Sequence, residues 1–159
     1  MFNLTVAVLD TDFYALQAIT SYLALDRRTR VIHTAESQAQ LFAYLMSAAE
    51  AELPDVILLD ADHVGSSEAL AGLLGRLREV DPAAVIICLA QSTDPQLVQA
   101  AAQAGARGYF LKGDVRLQIS WAIVYALEHD FVVSRSVRDG AEGIFDGRLF
   151  RATVLPAPR

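Results

Sequence analysis

Short apolar segments that alternate with helical patterns constrain this chain most strongly. In chain order, the apolar segments are residues 6–9 (strand 1), a weaker one at 31–32 (strand 2), 56–59 (strand 3), 85–89 (strand 4) and 109–111 (strand 5). Between them, apolar residues recur every three or four positions, as on one face of a helix. Strands that are apolar throughout and are joined by helices are typical of a parallel sheet covered on both sides. The alternation therefore predicts an α/β fold, a doubly wound sheet of five parallel strands with helices on both faces.

Helix boundaries are marked by capping residues and by proline. Helices are predicted over residues 14–24, 38–50, 67–80, 94–105 and 115–128. Asp94 and Pro95 form a favourable N-cap and first-turn pair, and Gly105 is placed to end the same helix. The pattern weakens beyond residue 130. We therefore predict one domain over residues 1–130 and a C-terminal extension or linker over 131–159.

Composition and charge exclude several classes of protein. The formal net charge of −6 speaks against direct binding of nucleic acid by this chain. A single cysteine, Cys88, excludes a disulfide framework and a thiolate zinc site, and its place in an apolar strand predicts an inert core residue. No apolar run reaches the length that spans a bilayer, and no charged leader precedes one. We expect a cytoplasmic protein with no membrane partner.

Charged residues follow several of the predicted strands, at the edge where ligands of such sheets bind. Asp10, Thr11 and Asp12 follow strand 1, Asp60, Ala61 and Asp62 follow strand 3, Ala90 and Gln91 follow strand 4, and Lys112 follows strand 5. Clustered carboxylates suit a hard cation such as Mg²⁺, and a lysine suits a phosphoryl oxygen. An aspartate at this edge is also a candidate phosphoryl acceptor.

Two of these aspartates and the lysine are the strongest candidates for a functional pocket. Asp10 and Asp60 each follow four apolar residues directly, where an unpaired buried charge would be costly. Lys112 is the only lysine among thirteen basic residues, and its compact ammonium differs from a guanidinium where a point charge is needed. His63, next to Asp62, is expected to be an exposed loop residue.

The absence of other motifs narrows the chemistry further. No glycine-rich loop follows strand 1, which disfavours Rossmann and P-loop nucleotide sites. No Gly-x-Ser-x-Gly sequence is present, which removes the common serine hydrolase class.

Three blocks of this sequence resemble the receiver domains of bacterial two-component response regulators, the CheY-like family. The blocks are VAVLD at residues 6–10, PDVILLD at 54–60 and AGARGYFLK at 104–112, and the resemblance covers residues 4–128. It implies a flavodoxin-like sheet with strand order 2-1-3-4-5. Receivers that carry a C-terminal helix-turn-helix domain are the most similar, and residues 131–134 resemble the start of the linker that leads to such an output domain.

The resemblance implies a role for each matching residue. Asp60 is the phosphoryl acceptor, Asp10 and Asp60 are Mg²⁺ ligands, Lys112 contacts the phosphoryl group, and Tyr109 is the aromatic switch. Asp62 occupies the position of the backbone ligand. Mg²⁺ is the expected cofactor, and a histidine kinase or another phosphodonor is the expected partner.

Three positions depart from the family pattern. Thr11 stands where the second acidic residue is expected, and Ala90 replaces the hydroxyl residue that bonds the phosphoryl group. Val64 replaces a proline. Mg²⁺ binding should therefore be weak, unless Asp12 or the Asp62 side chain supplies the missing carboxylate. Alternatively, Asp12 and Asp62 are both exposed loop residues. Because Ala90 lacks the hydroxyl group, Tyr109 is expected to be a packing residue and not a switch.

The helix predicted over residues 115–128 carries two apolar stripes, although a surface helix needs one. The second stripe consists of Leu117, Trp121 and Val124. It predicts a homodimer through the face formed by the predicted helix 94–105 (helix 4), strand 5 and the predicted helix 115–128 (helix 5), the face that receivers of this family commonly use. Alternatively, residues 131–137 fold back and cover the stripe.

The function predicted from these features is that of a receiver module that controls transcription through an output domain or a partner, and not that of an enzyme. It either accepts a phosphoryl group on Asp60 or acts as an atypical receiver without phosphorylation. The alternative is a small Mg²⁺-dependent phosphatase, or another enzyme that uses Asp10, suggested by the Asp10-Thr11-Asp12 sequence.

Overall fold

Seven parallel strands form the centre of the fold in the residues that the structure describes. A computed structural model of the chain describes residues 3–141 and 152–157. The strands are β1 (Leu4–Leu9), β2 (Thr29–Ala35), β3 (Val56–Asp60), β4 (Val85–Ala90), β5 (Gly108–Leu111), β6 (Val132–Val133) and β7 (Thr153–Val154). They lie in the order β2-β1-β3-β4-β5-β6-β7. The predicted class and the order of the first five strands are confirmed, but the sheet has two more strands than predicted.

Seven α-helices connect the strands in the described part of the chain. They are α1 (Phe13–Ala24), α2 (Gln38–Ser47), α3 (Ser67–Val80), α4 (Pro95–Gln103), α5 (Lys112–Val115), α6 (Ile119–Leu127) and α7 (Arg135–Gly140). Asp94 caps α4 by accepting the Gln96 N–H. Gly105 follows this helix with φ +94°, a left-handed conformation that glycine adopts without strain.

The helix predicted over residues 115–128 is broken. Of its predicted residues, only Val115 belongs to the short helix α5, and a 3₁₀ turn over Arg116–Gln118 separates α5 from α6. The break lies at Arg116, which has φ 40° and ψ −117°. Apolar periodicity did not indicate the 3₁₀ turn, because Leu117 lies within this turn and Trp121 and Val124 follow it at helical spacing.

The strands β6 and β7 come from the segment predicted as an extension or linker. In β6, Val132 and Val133 are fully buried and pair with Gly108 and Tyr109 of β5. Strand β7 extends the sheet beyond β6, and the Thr153 N–H donates to the Phe131 carbonyl at 2.8 Å. Strand β5 is therefore paired on both sides. The predicted dimer face needs correction in this respect, because the sheet continues beyond strand 5.

Apolar residues pack on both faces of the sheet. One layer joins alternate strand residues such as Leu9, Leu59 and Cys88 to α2, α3, α4 and α7. The other joins Val8 and Leu58 to α1 and α6. This alternation explains why β1, β3 and β4 are apolar along their whole length. The parallel order of the strands places the carboxyl ends of β1, β3, β4 and β5 along one edge of the sheet.

Cys88 is buried in β4. Burial raises the pKa of its thiol to about 12, so this thiol is not a nucleophile near neutral pH. No helix in the described ranges is long and apolar enough to cross a membrane.

Candidate phosphoryl-acceptor site

The three residues singled out from sequence meet at one edge of the sheet. Lys112 Nζ lies 2.7 Å from Asp10 Oδ2 and 2.9 Å from Asp60 Oδ1. Both carboxylates are buried, with Asp10 1% and Asp60 6% exposed. Each residue ends or follows a strand, so the sheet order β1-β3-β4-β5 sets their separation. The ammonium spans the ends of two strands and compensates both charges.

The second oxygen of Asp10 is also engaged. Asp10 Oδ1 accepts the N–H of Asp12 at 2.9 Å. This bond and the salt bridge to Lys112 together fix the orientation of the Asp10 carboxylate. The buried charge of Asp10 is thus paired and hydrogen-bonded, as a buried carboxylate requires.

The second oxygen of Asp60 meets His63, which sequence analysis assigned to an exposed loop. That assignment is wrong, since only 12% of the His63 side chain is exposed. A 3₁₀ turn over Asp62–Val64 brings the residue back over the carboxylate. Asp60 Oδ2 accepts the His63 backbone N–H at 3.2 Å, and the ring Nδ1 lies 3.3 Å away. The i, i+3 spacing of Asp60 and His63 is the one signal in the sequence for this contact.

Charge pairing sets the protonation of the three groups. Burial alone would raise the pKa of Asp60, but hydrogen bonds from His63 and Lys112 outweigh it and hold this pKa below its usual value. Burial likewise disfavours the ammonium of Lys112, yet its bonds to Asp10 and Asp60 raise its pKa. The hydrogen bond to Asp60 raises the pKa of His63. Asp60 is therefore ionised near neutral pH and opposes a charged lysine.

Asp12 and Asp62 point to other partners. Asp12 Oδ1 accepts the Tyr14 N–H at 2.9 Å and the Ala15 N–H at 3.3 Å, so this carboxylate caps α1. Asp62 Oδ2 accepts the Gln91 N–H at 2.6 Å and so joins the loops after β3 and β4. Burial raises the pKa of Asp62. Neither side chain replaces the carboxylate missing at Thr11 in this arrangement.

The contacts at the site do not fit a divalent cation as they stand. In the described residues, no group of three or more Asp, Glu, His or Cys side chains is arranged to hold a metal ion. The oxygens of Asp10 and Asp60 already face N–H groups and the Lys112 ammonium. The Mg²⁺ site with Asp10, Asp60 and Asp62 stays a prediction.

Ala90 ends β4, and Tyr109 lies in the neighbouring strand β5. Both side chains are fully buried. Among the residues that the structure describes, none forms a hydrogen bond with the Tyr109 hydroxyl. Burial raises the pKa of this hydroxyl, so it stays protonated. Tyr109 packs in the same apolar layer as Ala90. Because alanine has no hydroxyl group, Ala90 offers the Tyr109 hydroxyl no side-chain partner.

The stripe predicted as a dimer interface is only partly open. Leu117 is 60% exposed, whereas Trp121 and Val124 are half-buried. Trp121 borders a small cavity together with Leu155, Pro156 and Ala157 of the C-terminal segment. Residues after β7 thus lie beside part of the stripe and leave Leu117 free.

Comparison with known proteins gives matches among solved structures alone. No protein-family profile matches the chain, and no curated sequence does. The isolated receiver domain of RcsB from Salmonella enterica serovar Typhimurium, in the presence of the phosphomimetic BeF3−, matches with a TM-score of 0.70 and 19% identity, covering 86% of this chain and 97% of that one.

Two further matches extend this similarity. The receiver domain of the response regulator NarL from Mycobacterium tuberculosis has a TM-score of 0.63 and 25% identity, covering 80% of this chain and 98% of that one. RcsB in its complex with DNA has a TM-score of 0.73 and 21% identity, covering 93% of this chain and 71% of that one. The alternative of a phosphatase that uses Asp10 finds no support, because these matches are response regulators and Asp12 caps a helix.

The prediction of a receiver-type fold is confirmed by these matches and by the strand order. Asp10, Asp60 and Lys112 meet at the carboxyl edge of the sheet, where the sequence blocks placed them. The chain has the receiver-domain fold of two-component response regulators.

Proposed function

We propose that this chain is a receiver module of a response regulator and that Asp60 is its phosphoryl acceptor. The observation that carries the proposal is the double contact of Lys112 Nζ with Asp10 and Asp60. An ionised carboxylate beside a lysine is the arrangement that forms and stabilises an aspartyl phosphate. The donor is a histidine kinase or another phosphodonor.

The proposed transfer uses groups already in the site. An oxygen of Asp60 attacks the phosphorus atom of a phosphohistidine, the bond between phosphorus and the imidazole nitrogen breaks, and the imidazole leaves with the electron pair. The Asp60 oxygen forms the new bond to phosphorus. Lys112 pairs with the phosphoryl oxygens, which carry the transferred negative charge. Asp10, fixed by the Asp12 N–H, holds the ammonium in place.

The module is proposed to act in the cytoplasm as a signalling domain and not as an enzyme. Its output is the control of transcription, through an output domain or a partner. The similarity to RcsB, which is solved as a complex with DNA, supports this proposal. The net charge of −6 supports an indirect effect, in which another domain or chain binds the DNA.

A second candidate is an atypical receiver that signals without phosphorylation. Two observations favour it. Ala90 offers no hydroxyl for a phosphoryl group, which removes a bond worth about 1.5–3 kcal/mol to a charged partner. The Tyr109 ring is already fully buried, so no inward movement of this ring remains to be triggered.

Homodimerisation is proposed as well, with Leu117 as its apolar contact. This side chain is 60% exposed, and the half-buried Trp121 and Val124 belong to the same apolar stripe. The pairing of β5 with β6 moves the edge of the sheet outward, so helix residues and not strand 5 supply the contact. RcsB is solved as dimers bound to DNA, which supports association of a receiver of this fold.

The test of the main proposal is the formation of a covalent adduct. Acetyl phosphate in the presence of Mg²⁺ should add one phosphoryl group to the wild-type chain and none to Asp60→Asn. An adduct in Asp60→Asn would reject the assignment of Asp60. No adduct in either protein would favour the second candidate.

A further inference from the structure

A cavity of about 300 Å³ opens beside the site, between α1 and the segment that follows β5. Its walls include Ala15, Ala18 and Ile19 of α1, and Ile119 at the start of α6. The small side chains of Ala15 and Ala18 leave this space open. The volume lies at the lower end of the range of small-molecule sites, about 300–1,000 Å³.

The lining combines apolar walls with two cations. Lys112 and Arg116 both border the cavity, and no aspartate or glutamate is among its lining residues. Buried Leu89 and Val115 supply further apolar surface. A ligand that fits this lining has an apolar or aromatic body and a negatively charged group.

Arg116 is held in an unusual backbone conformation at this cavity. It is the only non-glycine residue with positive φ in the described ranges. Its guanidinium forms no hydrogen bond or ion pair with another described residue. Backbone strain of this kind concentrates at ligand and switch sites, where the surrounding structure enforces it. The Arg116 side chain thus borders a cavity whose lining residues include no carboxylate that could pair with its guanidinium.

We infer that this cavity binds a small amphipathic anion, with the anionic group at Arg116 and the apolar body between α1 and α6. Such a ligand is an input separate from phosphorylation. Lys112 borders the cavity and also bonds Asp10 and Asp60. A ligand in the cavity therefore lies next to the side chain that pairs with both carboxylates. The inference does not depend on Asp60 being phosphorylated.

The test uses 8-anilinonaphthalene-1-sulfonate, an aromatic anion whose fluorescence rises in apolar sites. Titration of the wild-type chain should give saturable binding to one site. Arg116→Gly removes the cation and relieves the strain, since glycine tolerates φ 40°. We expect this variant to bind the probe about tenfold or more weakly, as expected when one charge-assisted contact is lost. Its melting temperature should be equal to or above that of the wild type.

Three controls separate this site from nonspecific binding. Ala18→Phe fills the cavity and should also abolish saturable binding, whereas Arg27→Ala, at the exposed turn after α1, should bind as the wild type does. The neutral probe N-phenyl-1-naphthylamine should bind Arg116→Gly and the wild type equally. Saturable binding that is as tight in both Arg116→Gly and Ala18→Phe as in the wild type, or no saturable binding in the wild type, would overturn the inference.

Discussion

His63 Nδ1 lies 3.3 Å from Oδ2 of Asp60, on the side of the carboxylate opposite Lys112. The hydrogen bond from the His63 backbone N–H to Asp60 Oδ2 and the 3₁₀ turn over Asp62–Val64 hold the imidazole there. The Asp60 carboxylate is thus flanked by two basic side chains. This arrangement explains how Asp60 remains ionised although it is 6% exposed.

The contact makes stability depend on pH through His63. The hydrogen bond to Asp60 raises the pKa of His63 above its usual 6.5, and burial opposes this effect without cancelling it. A raised pKa in the folded state stabilises the fold fully below the unfolded pKa, and this contribution is lost as pH rises through the folded pKa. The stability advantage of the wild type over His63→Gln should therefore be largest below about pH 6.5 and shrink above it.

NMR titration of the His63 ring measures its pKa, and denaturant unfolding at several pH values measures the free energy of unfolding. Together they test this prediction. Asp60→Asn removes the carboxylate charge and should lower the pKa of His63. A His63 pKa at or below the usual value, equal in the wild type and Asp60→Asn, would be inconsistent with the observed contact.

Tyr109 carries a buried hydroxyl that no described residue hydrogen-bonds. Removing an unsatisfied buried polar group relieves its desolvation penalty. Tyr109→Phe should therefore stabilise the fold by about 1 kcal/mol. Urea unfolding of the two proteins measures the difference, and Tyr125→Phe, on a half-buried helix position, is a matched control. A clear loss of stability in Tyr109→Phe would mean that the hydroxyl has a partner, such as an ordered water.

Thr11 stands next to the buried Asp10 and supplies no charge to the site. Thr11→Asp should tighten the binding of Mg²⁺ by about tenfold or more, because affinity for hard cations rises with the number of carboxylate ligands. Isothermal calorimetry at fixed pH measures both affinities. Equal affinities in the wild type and Thr11→Asp would mean that Asp12 or Asp62 turns inward and completes the site.

Leu117 is the most accessible residue of the predicted dimer stripe. Sedimentation equilibrium should show the wild type associating with increasing concentration and Leu117→Glu remaining monomeric, because a charge in an apolar contact disfavours association. Met46→Glu is a control, since Met46 is 75% exposed on α2, on the other face of the sheet. A monomeric wild type at all concentrations would reject the dimer.

The features that could be predicted from sequence are those that repeat along the chain or lie at strand ends. Apolar periodicity predicted β1 to β5, and the polar residues that follow them located Asp10, Asp60 and Lys112. It did not predict β6 and β7, because two paired residues carry no detectable period. It also missed the break at Arg116 and the fold-back of His63, which depend on local backbone geometry and not on apolar pattern.

The most direct test of the central claim is intact-mass spectrometry after incubation with acetyl phosphate and Mg²⁺. The wild-type chain should gain the mass of one phosphoryl group, and Asp62→Asn, which keeps Asp60 and Lys112, should gain it as well. Asp60→Asn should gain none. A wild type without the adduct, or an adduct that persists in Asp60→Asn, would contradict the account of Asp60 as the phosphoryl acceptor.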